Sequence, residues 1–409
     1  MAGKRKDSKG RILKGGESQR KNGTYEFRFT DVHGKRRSVY APTLDELRGK
    51  ENYIQRSLAD GIDFDGGRLT VMDLVERYLA TKTGKRHGTQ ISYNFVVNVL
   101  KKYPFSQSRI SAVKLSDAKL FFLGLHEDGY SRSSISTIRS VLKPGFAMAV
   151  EEDLLRKNPF DFSLRDIIKN DAVRRNALTP EQQKCFFEFL QSDKVGSRYY
   201  DQLLILLDTG MRVSELFGLT KADVDLQNNT VCVNKQLLRK RLGEDRGLFV
   251  EETKTAEGNR EIFLLPEARE AFQRVLKNRK APQVEYIVDG YSGFLFIDGE
   301  GKPRVAYSLE HALERLVKRY NKTYCDSLIL TPHCLRHTFA TRILDAGIGI
   351  KDAQYLMGHA NSQTTLNIYA HASHESAARA LEKIGTMNGE PDMLTPDLRQ
   401  FTGKLREVK

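Results

Sequence analysis

The stretch YYDQLLILLDTG, residues 199–210, limits the possible folds of this chain more than any other segment. Nearly all of its residues are apolar, and it ends at Gly210, a residue type that commonly closes helices. A helix that is apolar on every side has to be surrounded by protein. The chain must therefore build a core around this helix, and Arg212 follows directly after the helix ends.

Residues 1–66 show a strand pattern followed by a helical pattern. The segment TYEFRFTDVHGKRRSVYAP alternates apolar with basic or polar residues and predicts a hairpin with a turn at His33-Gly34. Residues 43–61 then have helical spacing and a closing glycine. We expect a small three-stranded sheet plus one helix, with disorder over residues 1–10.

Residues 69–160 predict an all-helical domain. Thr70 can cap the first helix with Asp73 at the third helical position. No strand pattern interrupts the helical stretches, which lie near 71–79, 89–102, 116–127 and 134–155. Pro144 is expected to kink or split the last of these helices. A polar linker is predicted at 161–177.

The third predicted domain covers residues 178–385 and is mainly helical. Thr179-Pro180, with Gln182, is a strong helix start. Between 230 and 265 the segments TVCVNKQ, GLFVEETK and REIFLL predict a small antiparallel sheet with a turn at EGN. Residues 386–409 are polar and predict a flexible tail. The expected fold class is therefore a multidomain α+β protein.

The net charge of +14 indicates a polyanionic partner, and nucleic acid is the usual one. Residues 1–40 contain twelve Lys and Arg against four acids, an excess of eight charges. A basic sheet backed by a helix can place a charged face in a DNA groove; a solubilising basic tail is the alternative. The candidate DNA contacts are Arg20, Lys21, Arg28, Lys35, Arg36 and Arg37.

The sequence argues against membrane, secreted and zinc-binding classes. No apolar run approaches the roughly 20 residues of a membrane span. The basic N-terminus lacks the apolar segment of a secretory signal. The four cysteines are scattered without a CxxC pair, which predicts reduced cytosolic thiols rather than disulfides or a zinc site.

Two of four candidate functional motifs centre on a single basic residue. In TGMRVSELFGLT, Arg212 follows the buried helix, and an ion pair with Glu215 is the alternative to a functional role. In EETKTAEGNREI, Lys254 lies at or near a predicted hairpin tip, where most lysines are simply solvated. Neither residue indicates a function on its own.

The other two motifs contain four of the nine histidines. In TPHCLRHTFATRILDAG, Thr331 caps a helix on which His333, Arg336 and His337 share one face. The start of a helix favours an anion, so a phosphate site is plausible. A metal site built on the two histidines is the alternative, but the arginine between them would repel a cation. The stretch LMGHANSQTTLNIYAHAS contributes His359 and Tyr369, for which helix capping and packing are the alternatives.

Taken together, the four motifs resemble the active site of the tyrosine recombinases. The order Arg, Lys, His-x-x-Arg, His, Tyr is similar to that family's, and it corresponds here to Arg212, Lys254, His333, Arg336, His359 and Tyr369. The resemblance is most specific over about 178–385. The helical domain is similar to the family's core-binding domain. The lead-in SKGRILKGGESQRKNGTY resembles the arm-type DNA-binding domain in integrases of bacterial conjugative transposons.

The resemblance implies a site-specific DNA recombinase that needs no metal, ATP or other cofactor. Tyr369 would attack a phosphodiester and form a 3′-phosphotyrosine, while Arg212 and Arg336 clamp the nonbridging oxygens. His333 would act as acid and base, and His337 would brace its helix. Lys254 would protonate the leaving 5′-oxygen, and His359 would donate to the phosphate.

The resemblance also implies partners. These are double-stranded DNA with core and arm sites, other copies of the chain up to a tetramer, an excision factor and a host DNA-bending protein, in a bacterial cytoplasm. The helix after Tyr369 would dock on a neighbouring protomer, although packing on its own domain is the alternative. Two other functions stay open: a type IB-like topoisomerase, and a DNA-binding regulator with a decayed site.

Overall fold

The computed structural model describes residues 5–31, 34–59, 69–84, 86–169, 177–240, 247–253 and 258–358. The chain divides into two compact units, Met1–Val173 and Arg174–Lys409. All four cysteines are free thiols. Among the described helices, none combines the length and the apolar content that a bilayer crossing requires.

The first unit begins with a three-stranded antiparallel sheet in the order β1-β2-β3. Its strands are β1 Glu17–Gln19, β2 Tyr25–Thr30 and β3 Arg36–Ala41. Helix α1, Leu44–Ala59, packs against one face of the sheet. The predicted sheet and helix are confirmed, whereas His33 of the predicted turn lies outside the described residues. The core between sheet and helix contains Tyr25, Phe27, Ala41, Leu44, Leu47 and Ile54.

The predicted disorder over residues 1–10 is wrong for residues 5–10. Asp7 is buried, and its carboxylate accepts hydrogen bonds from the backbone N–H and the guanidinium of Arg11. The hydroxyl of Tyr25 donates to the same carboxylate at 2.9 Å. The basic composition of this segment indicated disorder, but one buried acid attaches it to the sheet.

The described residues of the first unit include four further α-helices, namely α2 Val71–Ala80, α3 His87–Leu100, α4 Leu115–Glu127 and α5 Arg132–Glu151. Thr70 and Asp73 form the predicted capping box at the start of α2. The sequence predicted a kink or a split at Pro144, and helix α5 continues through this residue without a split. Leu142 and Phe146, on either side of the proline, are both buried in the core, and this packing supports the continuous helix.

The helical core of the first unit extends into the predicted linker. Leu164 and Ile168 are buried in that core, so the linker predicted at 161–177 begins too early. These apolar residues are four positions apart and can therefore face the same side of a turn. Residues 170–176 lie outside the described part of the chain.

The second unit is mainly helical, as predicted. Its helices are α6 Pro180–Ser192, α7 Tyr200–Thr209, α8 Val213–Gly218, α9 Pro266–Asn278, α10 Ala306–Tyr324, α11 Pro332–Asp345 and α12 Ile350–Met357. Thr179 and Gln182 form the predicted capping box of α6. Helix α7 is almost entirely buried and ends at Gly210, which adopts φ +62°. The core surrounds α7, as its apolar sequence requires.

The strands of the second unit form two antiparallel sheets, where the sequence predicted one. The strands are β4 Val224–Asp225, β5 Thr230–Val233, β6 Lys235–Arg239, β7 Leu248–Glu252 and β8 Arg260–Phe263. One sheet has the order β4-β5-β8 and the other pairs β6 with β7. Strand β8 returns to β5 because Ile262 becomes buried beside Val231 and Val233 in the common core. The turn expected at EGN therefore does not join two paired strands.

Candidate active site

A cleft of about 570 Å³ opens in the second unit where α8, α10 and α11 meet. Three residues predicted for the active site, Arg212, His333 and Arg336, all line this cleft. They come from segments far apart in the sequence, and the fold brings them together. The other lining residues are Met211, Val213, Tyr307, Glu310, His311, Glu314, Leu330, Thr331 and Pro332.

Arg212 lies at the junction between α7 and α8. The left-handed Gly210 ends α7, and Arg212 is the N-cap residue of α8. Its Nη1 donates to Oε1 of Glu215 at 2.6 Å, and its Nη2 donates to the carbonyl oxygen of Gly358 at 3.1 Å. The side chain remains 44% exposed. The ion pair considered from the sequence is therefore present, and Arg212 also faces the cleft.

The start of α11 forms another wall of the cleft. The Thr331 hydroxyl accepts a hydrogen bond from the backbone N–H of Cys334, and Pro332 is the first helical residue, as predicted. His333 is exposed at the cleft, and its ring contacts that of His337 with centroids 5.4 Å apart. The first turn of a helix favours anions, so this wall suits a phosphate group.

Arg336 is buried beneath the cleft, one turn further along α11. Its Nη1 donates to the carbonyl oxygen of Gly210 at 2.7 Å, and its Nη2 donates to the carbonyl oxygen of Met357. Burial and the positive charge of Arg212 lower the pKa of Arg336 to about 9, although Glu215 acts in the opposite direction. Arg336 is therefore still charged at neutral pH.

A buried ion pair beneath the cleft joins Arg260 to Glu215. Arg260 Nη2 donates to Glu215 Oε2 at 2.8 Å, and both side chains are almost fully buried. Burial by itself raises the pKa of Glu215, but Arg260 and then Arg212 more than offset it and bring the pKa to about 2. Glu215 is thus an anion shared between a buried arginine and a cleft arginine.

The sequence did not single out Arg260, although a signal was available. Strand β8 and the residue after it alternate, so that Arg260 points inward together with Ile262 and Leu264. A charged residue in phase with buried apolar residues requires a buried partner. That phase could have identified Arg260, but nothing in the sequence indicates that Glu215 is the partner.

Three arginines hold the end of α12. The carbonyl oxygens of Leu356, Met357 and Gly358 accept hydrogen bonds from Arg260, Arg336 and Arg212 respectively. Gly358 adopts φ +59°, and a Cβ at this position would lie 2.7 Å from Arg260 Nη1. We call these three arginines, with Glu215, the arginine clamp. It fixes the turn that immediately precedes position 359.

Three predicted site residues, Lys254, His359 and Tyr369, lie outside the described residues. Their nearest described neighbours in sequence are Thr253 at the end of β7 and Gly358 at the end of α12. In the described ranges, no group of three or more His, Cys, Asp or Glu side chains is arranged to hold a metal ion.

The six predicted DNA contacts of the first unit fall into three classes. Lys21, Lys35 and Arg36 are exposed. Arg20 and Arg28 are also exposed, and both pair with the buried carboxylate of Glu26. Arg37 points inward instead: its side chain is only 12% exposed, and its Nε lies 2.5 Å from Asp31 Oδ2. Arg37 is therefore the least accessible of the six.

Family models match two parts of the chain. The model of the phage integrase family matches residues 176–376, and the model of the DNA binding domain of Tn916 integrase matches residues 1–58. The transposase from transposon Tn1545 of Streptococcus agalactiae is 40% identical over 399 residues, covering 94% of this chain and 97% of the relative. The transposase from transposon Tn916 of Enterococcus faecalis has the same identity and coverage.

Solved structures give the same result. The Tn1549 transposon integrase, in complex with a circular intermediate DNA, is 40% identical with a TM-score of 0.72. The alignment covers 77% of this chain and 99% of that one. A lambda integrase dimer bound to a core site is 17% identical with a TM-score of 0.52, over 88% of this chain and 95% of that one, a likeness of fold.

Proposed function

The chain belongs to the phage integrase family and is a tyrosine-type site-specific recombinase of the conjugative-transposon integrase kind, and from this premise we propose how it breaks and rejoins DNA. The proposed substrate is double-stranded DNA at the ends of its own mobile element. The proposed intermediate is a 3′-phosphotyrosine on Tyr369. The reaction requires neither a metal nor ATP, because the energy of the broken phosphodiester is kept in the phosphotyrosyl bond.

One observation carries this proposal: Arg212, His333 and Arg336 line a single cleft. A phosphodiester that is being attacked gains negative charge on its nonbridging oxygens. Arginine offers planar, paired donors for such oxygens. An arginine fixed before the reaction begins also has little reorganisation left to undergo. Hydrogen bonds to Glu215 and to main-chain oxygens fix Arg212 and Arg336 in this way.

The proposed steps assign one role to each side chain. The Tyr369 phenol oxygen bonds to phosphorus as the bond from phosphorus to the 5′-oxygen breaks. His333 takes the phenol proton, and Lys254 gives a proton to the leaving 5′-oxygen. His359 donates a hydrogen bond to the phosphate, and His337 braces the helix. Attack by a 5′-hydroxyl from another duplex then reverses the step and joins the strands.

The proposed organisation follows the same reasoning. Residues 1–66 bind arm sites, 69–160 and 178–385 bind and cut core sites, and 386–409 form a tail. Strand exchange between two duplexes needs four such sites, so we include a dimer that becomes a tetramer on DNA. An excision factor and a host DNA-bending protein complete the proposed assembly in the bacterial cytoplasm.

A covalent trap tests the proposal. The probe is a nicked duplex carrying an end of the element, so that the cut fragment diffuses away and the adduct accumulates. Wild type should give an adduct that survives denaturation, in excess chelator and without nucleotide. Tyr369→Phe should give none, while Tyr324→Phe, which changes an exposed tyrosine of α10, should behave as wild type. An adduct formed by Tyr369→Phe would contradict the assignment.

A further inference from the structure

Glu26 occupies an unusual place for an acid in a basic module. It pairs with Ser18 of β1 and with Tyr40 of β3 in the register of the N-terminal sheet. Because side chains alternate along a strand, Glu26 points away from α1, on the face opposite Tyr25 and Phe27. We call this side the outer face of the sheet. Its other side chains include Arg28 and Ser38, which lie opposite each other.

The Glu26 carboxylate organises the outer face. Arg28 donates to both of its oxygens at 3.2 Å, and Arg20 does so at 3.4 and 3.5 Å. The Tyr40 hydroxyl donates at 3.2 Å. The Arg20 guanidinium also lies over the Tyr40 ring, 4.5 Å from its centroid. The carboxylate therefore holds both arginines, and the Tyr40 ring gives Arg20 a second contact.

The burial pattern separates the acid from the two arginines it holds. The Glu26 side chain is only 4% exposed, whereas Arg20 and Arg28 are 49% and 70% exposed. The Nε and Nη2 atoms of each arginine donate to the Glu26 carboxylate. The Nη1 atom therefore lies on the side of each guanidinium that faces away from the acid. Hydrogen bonding to Arg28 is the largest cause that lowers the pKa of Glu26, which falls to about 2. The acid is therefore ionised at neutral pH.

A carboxylate on a DNA-binding face weakens binding, so we ask what other role Glu26 has there. Glu26 repels phosphate, and its oxygens are occupied by protein donors, so it is poorly placed to accept hydrogen bonds from a base. Contacts to phosphate tolerate mobile side chains, whereas reading a base edge requires donors in fixed positions. A rigid arginine can donate two hydrogen bonds to one guanine. The arrangement around Glu26 suits the reading of base edges.

We propose that Glu26 is a positioning residue for DNA specificity, which holds Arg20 and Arg28 so that their exposed edges read base edges in a groove of the arm DNA. This inference rests on the proposed arm-binding role of residues 1–66. If the inference holds, removing the acid should leave the affinity for random DNA equal or higher, while the discrimination between DNA sequences falls. A purely structural role would weaken both together.

The experiment uses the full-length chain and a pool of duplexes with a randomised 20-base-pair segment. Wild type selects its preferred duplexes, and affinities for the best selected duplex and for the random pool are then compared. Glu26→Gln should reduce the ratio of the two affinities roughly tenfold, the scale of one lost bidentate contact. The variant should lose its preference for guanine at positions of the arm site, whereas its preferences among core-site sequences should not change.

The matched control is Asp45→Asn. It also removes one negative charge from the same module, but Asp45 lies on α1 with its side chain 88% exposed. It should keep the wild-type ratio. A second readout is the salt dependence of binding: Glu26→Gln should keep the wild-type slope, whereas Lys35→Ala should reduce the slope by about one if it loses a phosphate contact.

Three further variants keep the test decisive. If amide exchange shows that Glu26→Gln unfolds the sheet, the test uses Arg20→Lys and Arg28→Lys instead. Lysine keeps the positive charge but lacks the planar, paired donors of arginine. Both variants should lose the same base preferences. An unchanged ratio in a folded Glu26→Gln variant overturns the inference. If the triple variant Lys21→Ala, Lys35→Ala, Arg36→Ala binds DNA like wild type, the arm-binding proposal itself fails.

Discussion

Glu26 in the first unit and Glu215 in the second are both buried and each hold two arginines, but the arginines lie at different depths. Both carboxyl pKa values are lowered to about 2. The two partners of Glu26 are both exposed, whereas Glu215 joins the half-exposed Arg212 to the fully buried Arg260. The same pairing of groups therefore orders a surface in one unit and supports an interior in the other. Depth decides whether losing the pair affects recognition or folding.

The largest expected effect comes from breaking the buried pair. Arg260→Gln should lower the free energy of unfolding of the second unit by about 3–5 kcal/mol, because the buried Glu215 loses its buried partner and keeps only the half-exposed Arg212. It should also slow cleavage, since the end of α12 loses one of its three arginines. Urea denaturation and single-turnover cleavage measure the two effects.

A double variant provides the control for that prediction. Arg260→Met combined with Glu215→Gln removes both charges and should destabilise less than Arg260→Gln alone. Equal losses in the two proteins would mean that the arginine contributes packing rather than charge compensation. The depth comparison would then lose its basis.

The next effect is a dependence on pH. The pKa of Glu215 is lowered from 4.5 to about 2 on folding, so its ionised form favours the folded chain. This contribution is complete above about pH 4.5 and is lost as pH falls toward 2. The scale is about 3 kcal/mol. The gap in unfolding free energy between wild type and Glu215→Gln should therefore narrow over this range. A constant gap would contradict the assigned pairing.

The smallest effect belongs to the surface pair. Arg28→Gln should change the free energy of unfolding by less than about 1 kcal/mol, because Arg28 is 70% exposed and the buried Glu26 keeps Arg20 and Tyr40 as partners. The same substitution should still reduce sequence discrimination in the duplex selection. A loss of stability as large as that of Arg260→Gln would show that exposure does not separate the two pairs.

Local sequence signals predicted the fold well where the interactions themselves are local. Thr70, Thr179 and Thr331 each bond to a backbone N–H three residues away, so their helix starts could be predicted from short motifs. The pairing of β8 with β5 could not, because it depends on which apolar residues meet in a distant core. The number of sheets was therefore wrong while the strand positions were nearly right.

The same contrast between local and long-range interactions applies to the candidate site. The family pattern predicted that Arg212, His333 and Arg336 belong to one site, and they do line one cleft. Their roles, and those of Lys254, His359 and Tyr369, remain predictions. The support beneath them was missed, because an arginine at the start of a strand usually faces solvent. Only the fold reveals that Arg260 meets Glu215.

The arginine clamp has a consequence for how freely this region can vary in evolution. It holds α12 through three consecutive main-chain oxygens, and every residue type offers the same oxygen. The clamp therefore places no demand on the side chains at 356 and 357 beyond their packing. At 358 it requires glycine, because the residue there must adopt positive φ and a Cβ would lie 2.7 Å from Arg260 Nη1. Helix α12 can change its sequence while its end keeps the same position beside the cleft.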